Sequence, residues 1–71
     1  MAVKTMSRNE WPGTIIRAYE KAGVDIHKMQ RRRKKTITVD TRDRQRDTWK
    51  FQEGDWHFAE SKPVDKPKTG L

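Results

Sequence analysis

Arg31, Arg32, Arg33, Lys34 and Lys35 form an unbroken run of five cations, with Lys28 just upstream and Arg42, Arg44 and Arg46 beyond the intervening segment Thr36–Thr41. The chemistry open to such residues is anion binding. A guanidinium grips a phosphate through two parallel N–H donors, and its flat face stacks on a base. Residues 28–46 hold nine basic groups against Asp40 and Asp43, while the segments before and after are close to neutral. The chain's formal charge of +7 therefore sits in one central belt. A field concentrated in this way attracts polyanions over a Debye length of about 8 Å at physiological salt. With Lys50 added from the segment that follows, the belt predicts contact with a nucleic acid, DNA or RNA, or with the acidic face of a protein. The bland alternative is a solvated run closing a helix, where cations also suit the C-terminal end of the helix dipole.

Other chemistry finds little support. There is no Cys, which removes disulfides and thiolate zinc sites. His27 and His57 have no Cys, His or carboxylate at recognised ligand spacing and read as surface histidines. Neither a glycine-rich phosphate loop nor a nucleophile elbow is present, and no pair of acids stands on an apolar wall. The chain is expected to be no enzyme, to carry no cofactor or metal, and to take no small-molecule substrate.

The elements that must position the belt follow from periodicity. Ile15, Ile16, Tyr19 and Ala22 share one face of a helix over about 12–22, with Pro12 tolerated in its first turn and Gly23 as its C-terminal cap. Ser7 and Glu10 have capping-box spacing, but Pro12 and Gly13 follow too soon to fix the helix start there. Asp25 then caps a second helix over about 26–33, with Ile26 and Met29 inward and Lys28, Arg31 and Arg32 outward. The two helices have the outline of a helix-turn-helix, but Tyr19 stands where a small residue normally lets the pair approach, so a plain helical hairpin is expected.

From Thr36 the period changes to two. Ile37 and Val39 face one way, so 36–40 is a strand. The same alternation over 48–52 and 56–60, on either side of Glu53-Gly54, predicts a hairpin in which Phe51 faces Trp56 and Trp49 faces Phe58. The four rings then cover one face and pack as core, with Lys50 opposite His57 on the other. Thr41–Asp47 reads as a long basic loop, a finger suited to a nucleic-acid groove.

The expected architecture is α+β: two N-terminal helices on a three-stranded antiparallel sheet. It occupies a single small domain over 11–60, between a flexible segment 1–10 and a disordered tail 61–71. No apolar run approaches the roughly 20 residues that span a bilayer, and the N-terminus lacks a signal peptide's apolar core. The chain is therefore expected to be soluble and intracellular, cytoplasmic or, in a eukaryote, nuclear, with RRRKK as a localisation signal. The expected function is nucleic-acid-binding regulation, for example of transcription. The alternative is a modulator, such as a virus-encoded inhibitor, that docks its basic surface on an acidic face of a host enzyme such as RNA polymerase.

Overall fold

A computed structural model describes residues 3–64. These residues form an antiparallel five-stranded meander with one helix laid across it. The strands are β1 (Lys4–Thr5), β2 (Ile26–Arg33), β3 (Thr36–Thr41), β4 (Gln45–Gln52) and β5 (Asp55–Pro63), and they lie in chain order across the sheet. A 3₁₀ turn (Arg8–Glu10) and helix α1 (Gly13–Ala22) connect β1 to β2. The structure is mostly β, and the expected two helices on three strands are not what forms.

The helix α1 follows its sequence signals. Pro12 precedes it, and Gly23 ends it at φ 72°, where the missing Cβ removes the left-handed clash. The Gly23 and Val24 N–H groups bond back to Glu20 and Tyr19 carbonyls at 3.2 and 3.0 Å. Ile15 and Tyr19, one helical turn apart, are buried against the sheet. The Ser7–Glu10 pair also forms, at 3.0 Å, but it closes the 3₁₀ turn rather than opening α1.

The predicted second helix over 26–33 is strand β2, and the helix-turn-helix outline goes with it. The reason lies in a bulge. Ile26 pairs with Thr41 and Met29 with Val39, so one extra residue of β2 is inserted between Ile26 and Lys28. The insertion returns Ile26 and Met29, three apart, to the same face of the sheet. A strand with one bulge thus imitates the i, i+3 spacing of a helix.

The expected basic loop over 41–47 is also corrected. Gln45, Arg46 and Asp47 already belong to β4, and a tight turn at 42–44 joins the strands with Arg44 at φ 63°. Asp47 obscured this, because a carboxylate at an inward position of a strand resembles a loop residue. The molecule satisfies it from α1: the Tyr19 hydroxyl donates to Asp47 Oδ2 and accepts from Trp49 Nε1 at 3.0 Å.

The β4–β5 hairpin has the expected register. Glu53 and Gly54 both have positive φ, 52° and 81°, as a type I′ turn requires, and Phe51 pairs with Trp56, Lys50 with His57, and Trp49 with Phe58. Ring centroids lie 5.2 Å apart for Phe51–Trp56 and 5.6 Å for Trp49–Phe58, both edge to face. The expected burial of all four holds only in part: Trp49 is 7% exposed, whereas Phe58 is 54% exposed.

The core consists of Met6, Ile15, Tyr19, Met29, Ile37, Val39 and Trp49, all between α1 and one face of the sheet. The segment 1–10, expected to be flexible, contributes Met6 to this core and Lys4–Thr5 to the sheet edge. Of the expected disordered tail, Ser61–Pro63 lies in β5, Val64 N donates to the Arg44 carbonyl at 2.8 Å, and 65–71 fall outside the described residues. No helix among the described residues is long and apolar enough to cross a membrane.

Candidate nucleic-acid interface

Because α1 covers one face of the sheet, the side chains that alternate with the core face outward on the other. Rungs across this open face follow from the strand register. Lys28, Asp40, Arg46 and Lys62 form one, Gln30, Thr38, Thr48 and Glu60 the next, and Arg33, Thr36, Lys50 and His57 a third. Arg32 joins them: its Nε donates to Thr38 Oγ1 at 3.1 Å and its Nη2 to Gln30 Oε1 at 3.4 Å. Lys28, Arg32 and Arg33 on β2, Arg46 and Lys50 on β4, and Lys62 on β5 thus share one surface. At about 3.3 Å per residue and 4.8 Å per strand, they span roughly 13 by 14 Å.

Asp40 organises the middle of this surface. Arg46 grips it with two N–H donors, Nε to Oδ1 at 2.8 Å and Nη2 to Oδ2 at 3.1 Å. The Arg46 hydrogen bond holds the Asp40 carboxyl below its ordinary value, against the opposing effect of burial, and the charges of Arg46, Lys28 and Arg32 add to the lowering. The Asp40 side chain is 9% exposed and that of Arg46 is 38% exposed, so the carboxylate lies beneath a guanidinium that still reaches solvent. Lys62 meets Glu60 at 3.6 Å with both side chains largely exposed. Such a pair is screened and weakly held.

The predicted belt does not come together as one patch. Lys28, Arg32, Arg33, Arg46 and Lys50 stand on the open face. A second bulge in β2, between Arg31 and Arg33, divides the run of five. Arg31 pairs with Ile37 on the helix-covered side, and its Nη1 donates to the Lys34 carbonyl at 2.9 Å, so it closes the β2–β3 turn. Arg33 pairs with Thr36 and so extends the third rung of the open face to β2, while Lys34 and Lys35 form the turn itself. Arg42 and Arg44 lie in the β3–β4 turn at the opposite end of the sheet, because successive hairpin turns alternate ends.

Lys62 is the face residue that the sequence reading missed, having placed it in the tail. The alternation of Glu60 and Lys62 continuing past Phe58 was the available signal, disguised by a bulge that sets Thr48 against Glu60 while Trp49 pairs with Phe58.

Two features limit what this face can do. None of the rings of the β4–β5 hairpin stands on it: Trp49, Phe51, Trp56 and Phe58 all alternate to the other side. Base stacking therefore has no platform here. Among the described residues, no group of three or more His, Asp or Glu side chains converges where a metal ion could be held. The chain matches no protein-family model, no curated protein and no solved structure.

Proposed function

We propose that this protein is a small nucleic-acid-binding regulator that grips the phosphate backbone with the open face of its sheet. The observation that carries this reading is the gathering of Lys28, Arg32, Arg33, Arg46, Lys50 and Lys62 on one surface, against only Asp40 and Glu60. Such a surface supplies donors for phosphate oxygens and, with the hairpin's Trp and Phe rings on its other side, little for unstacked bases. It favours a duplex backbone over a single strand, which proteins typically hold by aromatic stacking. The turn cations Lys34 and Lys35 extend the same field at one end.

Titration of labelled duplex DNA, duplex RNA and single strands at several salt concentrations tests this. Each duplex phosphate contact contributes about 0.9 to the slope of log affinity against log salt. Lys28→Ala/Lys50→Ala is expected to flatten that slope by up to about two, and Arg31→Ala, on the reverse side, to leave it unchanged. Wild-type affinity no tighter than about 10⁻⁴ to 10⁻⁶ M on every probe at physiological salt is the result that rejects the proposal. An acidic protein surface then becomes the partner to seek.

A further inference from the structure

On the helix side of the sheet, α1 packs Ile15 and Tyr19 into the core with Met29, Ile37, Val39 and Trp49, and it approaches β5, where Phe58 stays exposed. Thr14, near the start of α1, bonds Asp55 at the start of β5, Oγ1 to Oδ1 at 2.9 Å. Toward its C-terminus the helix presents Ala18 and Ala22, whose short side chains leave a trough of about 430 Å³. Trp49, Phe58 and Val24 complete the apolar walls, and the trough runs toward the β3–β4 turn, where Asp43 and Asp47 line it. Two properties set it apart from the rest of the surface. Phe58, at 54% exposure, is the most open large apolar side chain among the described residues. Among the described residues no lysine or arginine lines the trough, although the chain has a net charge of +7.

We propose that this groove is a docking site for a short segment of a partner protein in which an apolar side chain stands beside a lysine or arginine. The apolar member packs between Ala18, Ala22 and Phe58, which removes an exposed ring from water. The basic member lies against the exposed Asp43, with Asp47 buried behind it and its Oδ2 occupied by the Tyr19 hydroxyl. Charge complementarity sets the sign of the occupant: a phosphate is repelled by the exposed Asp43 carboxylate that attracts a cationic side chain. The site is independent of the open face, which lies on the other side of the sheet. Together the two surfaces would let one small domain hold a nucleic acid and a basic protein segment at once.

The test is a ¹H–¹⁵N titration of the full chain with three blocked tetrapeptides: Leu-Lys-Phe-Lys, the same peptide with Glu for both Lys, and the same peptide with Ala for Leu and Phe. The first is expected to shift the amides of Ala18, Ala22 and Phe58 and the Trp49 indole N–H, and to bind about tenfold more tightly than either control, a difference of about 1.4 kcal/mol. Phe58→Ala and Ala22→Lys, both at exposed positions, are expected to weaken it about tenfold with amide dispersion retained. If Phe58→Ala loses dispersion, Ala22→Lys carries the test alone. Equal binding of the three peptides, shifts confined to the open face, or no shifts at millimolar peptide overturn the proposal. Self-association abolished by Ala22→Lys also overturns it, because the occupant is then a second copy of this chain.

Discussion

Strand β4 serves both faces of the sheet with alternate residues: Asp47 and Trp49 point toward α1, Thr48 and Lys50 away from it. Each face also takes in one buried carboxylate, and the two are satisfied differently. Asp47, on the helix side, accepts from the neutral Tyr19 hydroxyl inside the core, whereas Asp40, on the open side, is gripped by the Arg46 guanidinium at the surface. A neutral donor places no second charge in the low-dielectric interior, where desolvating an ion pair is expensive. A guanidinium at the surface remains hydrated and available to a partner. The helix face therefore supplies stability and the open face supplies charge, although the strands are the same.

The sharpest way to break this division is to compare neighbours on β4. Trp49→Ala removes a ring that packs against Tyr19 and Phe58 and lies almost fully out of water. Truncations of this kind cost about 3–5 kcal/mol, comparable to the whole stability of a domain this small, so the variant is expected to be unfolded by far-UV circular dichroism and thermal melting. Lys50→Ala, one residue on, should change stability by no more than about 0.5 kcal/mol. Equal effects would mean that the faces do not differ as described.

Tyr19→Phe tests the polar part of the core and should cost about 1–3 kcal/mol, because Asp47 and the Trp49 indole both lose a partner while the ring remains. Burial, reinforced by the hydrogen bond to Asp47, raises the Tyr19 hydroxyl above its ordinary value of 10.0. A group whose folded value is raised contributes stability that is complete below the unfolded value and is lost as pH climbs toward the folded one. The stability gap between wild type and Tyr19→Phe should therefore hold at neutral pH and narrow above about pH 10. Urea unfolding at a series of alkaline pH values measures it.

Phe58→Ala is a milder test on the same side of the sheet. The sequence places Phe58 among the core rings, but at 54% exposure it buries too little for its loss to unfold the domain. A cost of about 1 kcal/mol or less is expected, set by the edge-to-face contact with Trp49. A loss as large as that of Trp49→Ala would show that Phe58 is more buried in solution and that the groove beside it is closed.

These contrasts also explain what the chain made legible. Elements with uninterrupted periodicity were readable: α1 with its Gly23 cap, the Ile37–Val39 strand, and the Glu53-Gly54 hairpin with its cross-strand pairs. Elements crossed by a bulge were not, because one inserted residue changes the spacing from two to three. This turned β2 into an apparent helix and cut β5 short of Lys62. The position of Asp47 failed for another reason: its partner Tyr19 lies 28 residues away, and a carboxylate inside a strand makes sense only once that partner is in place. For the candidate face, the residue types were legible and their distribution was not. Which of Arg31, Arg32 and Arg33 reaches the open side depends on the bulge between them.

A small effect on stability, and the one most informative about the open face, is expected of Asp40→Asn. The carboxylate is buried, but Arg46 is 38% exposed and can turn to water when its partner is neutralised, so the loss should be about 0.5–1 kcal/mol at neutral pH. Because the Arg46 hydrogen bond depresses Asp40, its contribution is complete above about pH 4, the unfolded value, and disappears as pH falls through the lower folded value. Wild type and variant should converge in acid, which thermal melts from neutral to acid pH would show. Binding should change in the opposite sense. Removing the negative charge beneath Arg46 frees a guanidinium in the middle of the cationic surface, so a variant slightly less stable than wild type should hold duplex DNA more tightly. Its salt dependence should steepen by up to about 0.9, one added phosphate contact. An unchanged slope with lowered stability would mean that Arg46 serves only to neutralise Asp40, and that phosphate contact on this face falls to Lys28, Arg32, Arg33, Lys50 and Lys62.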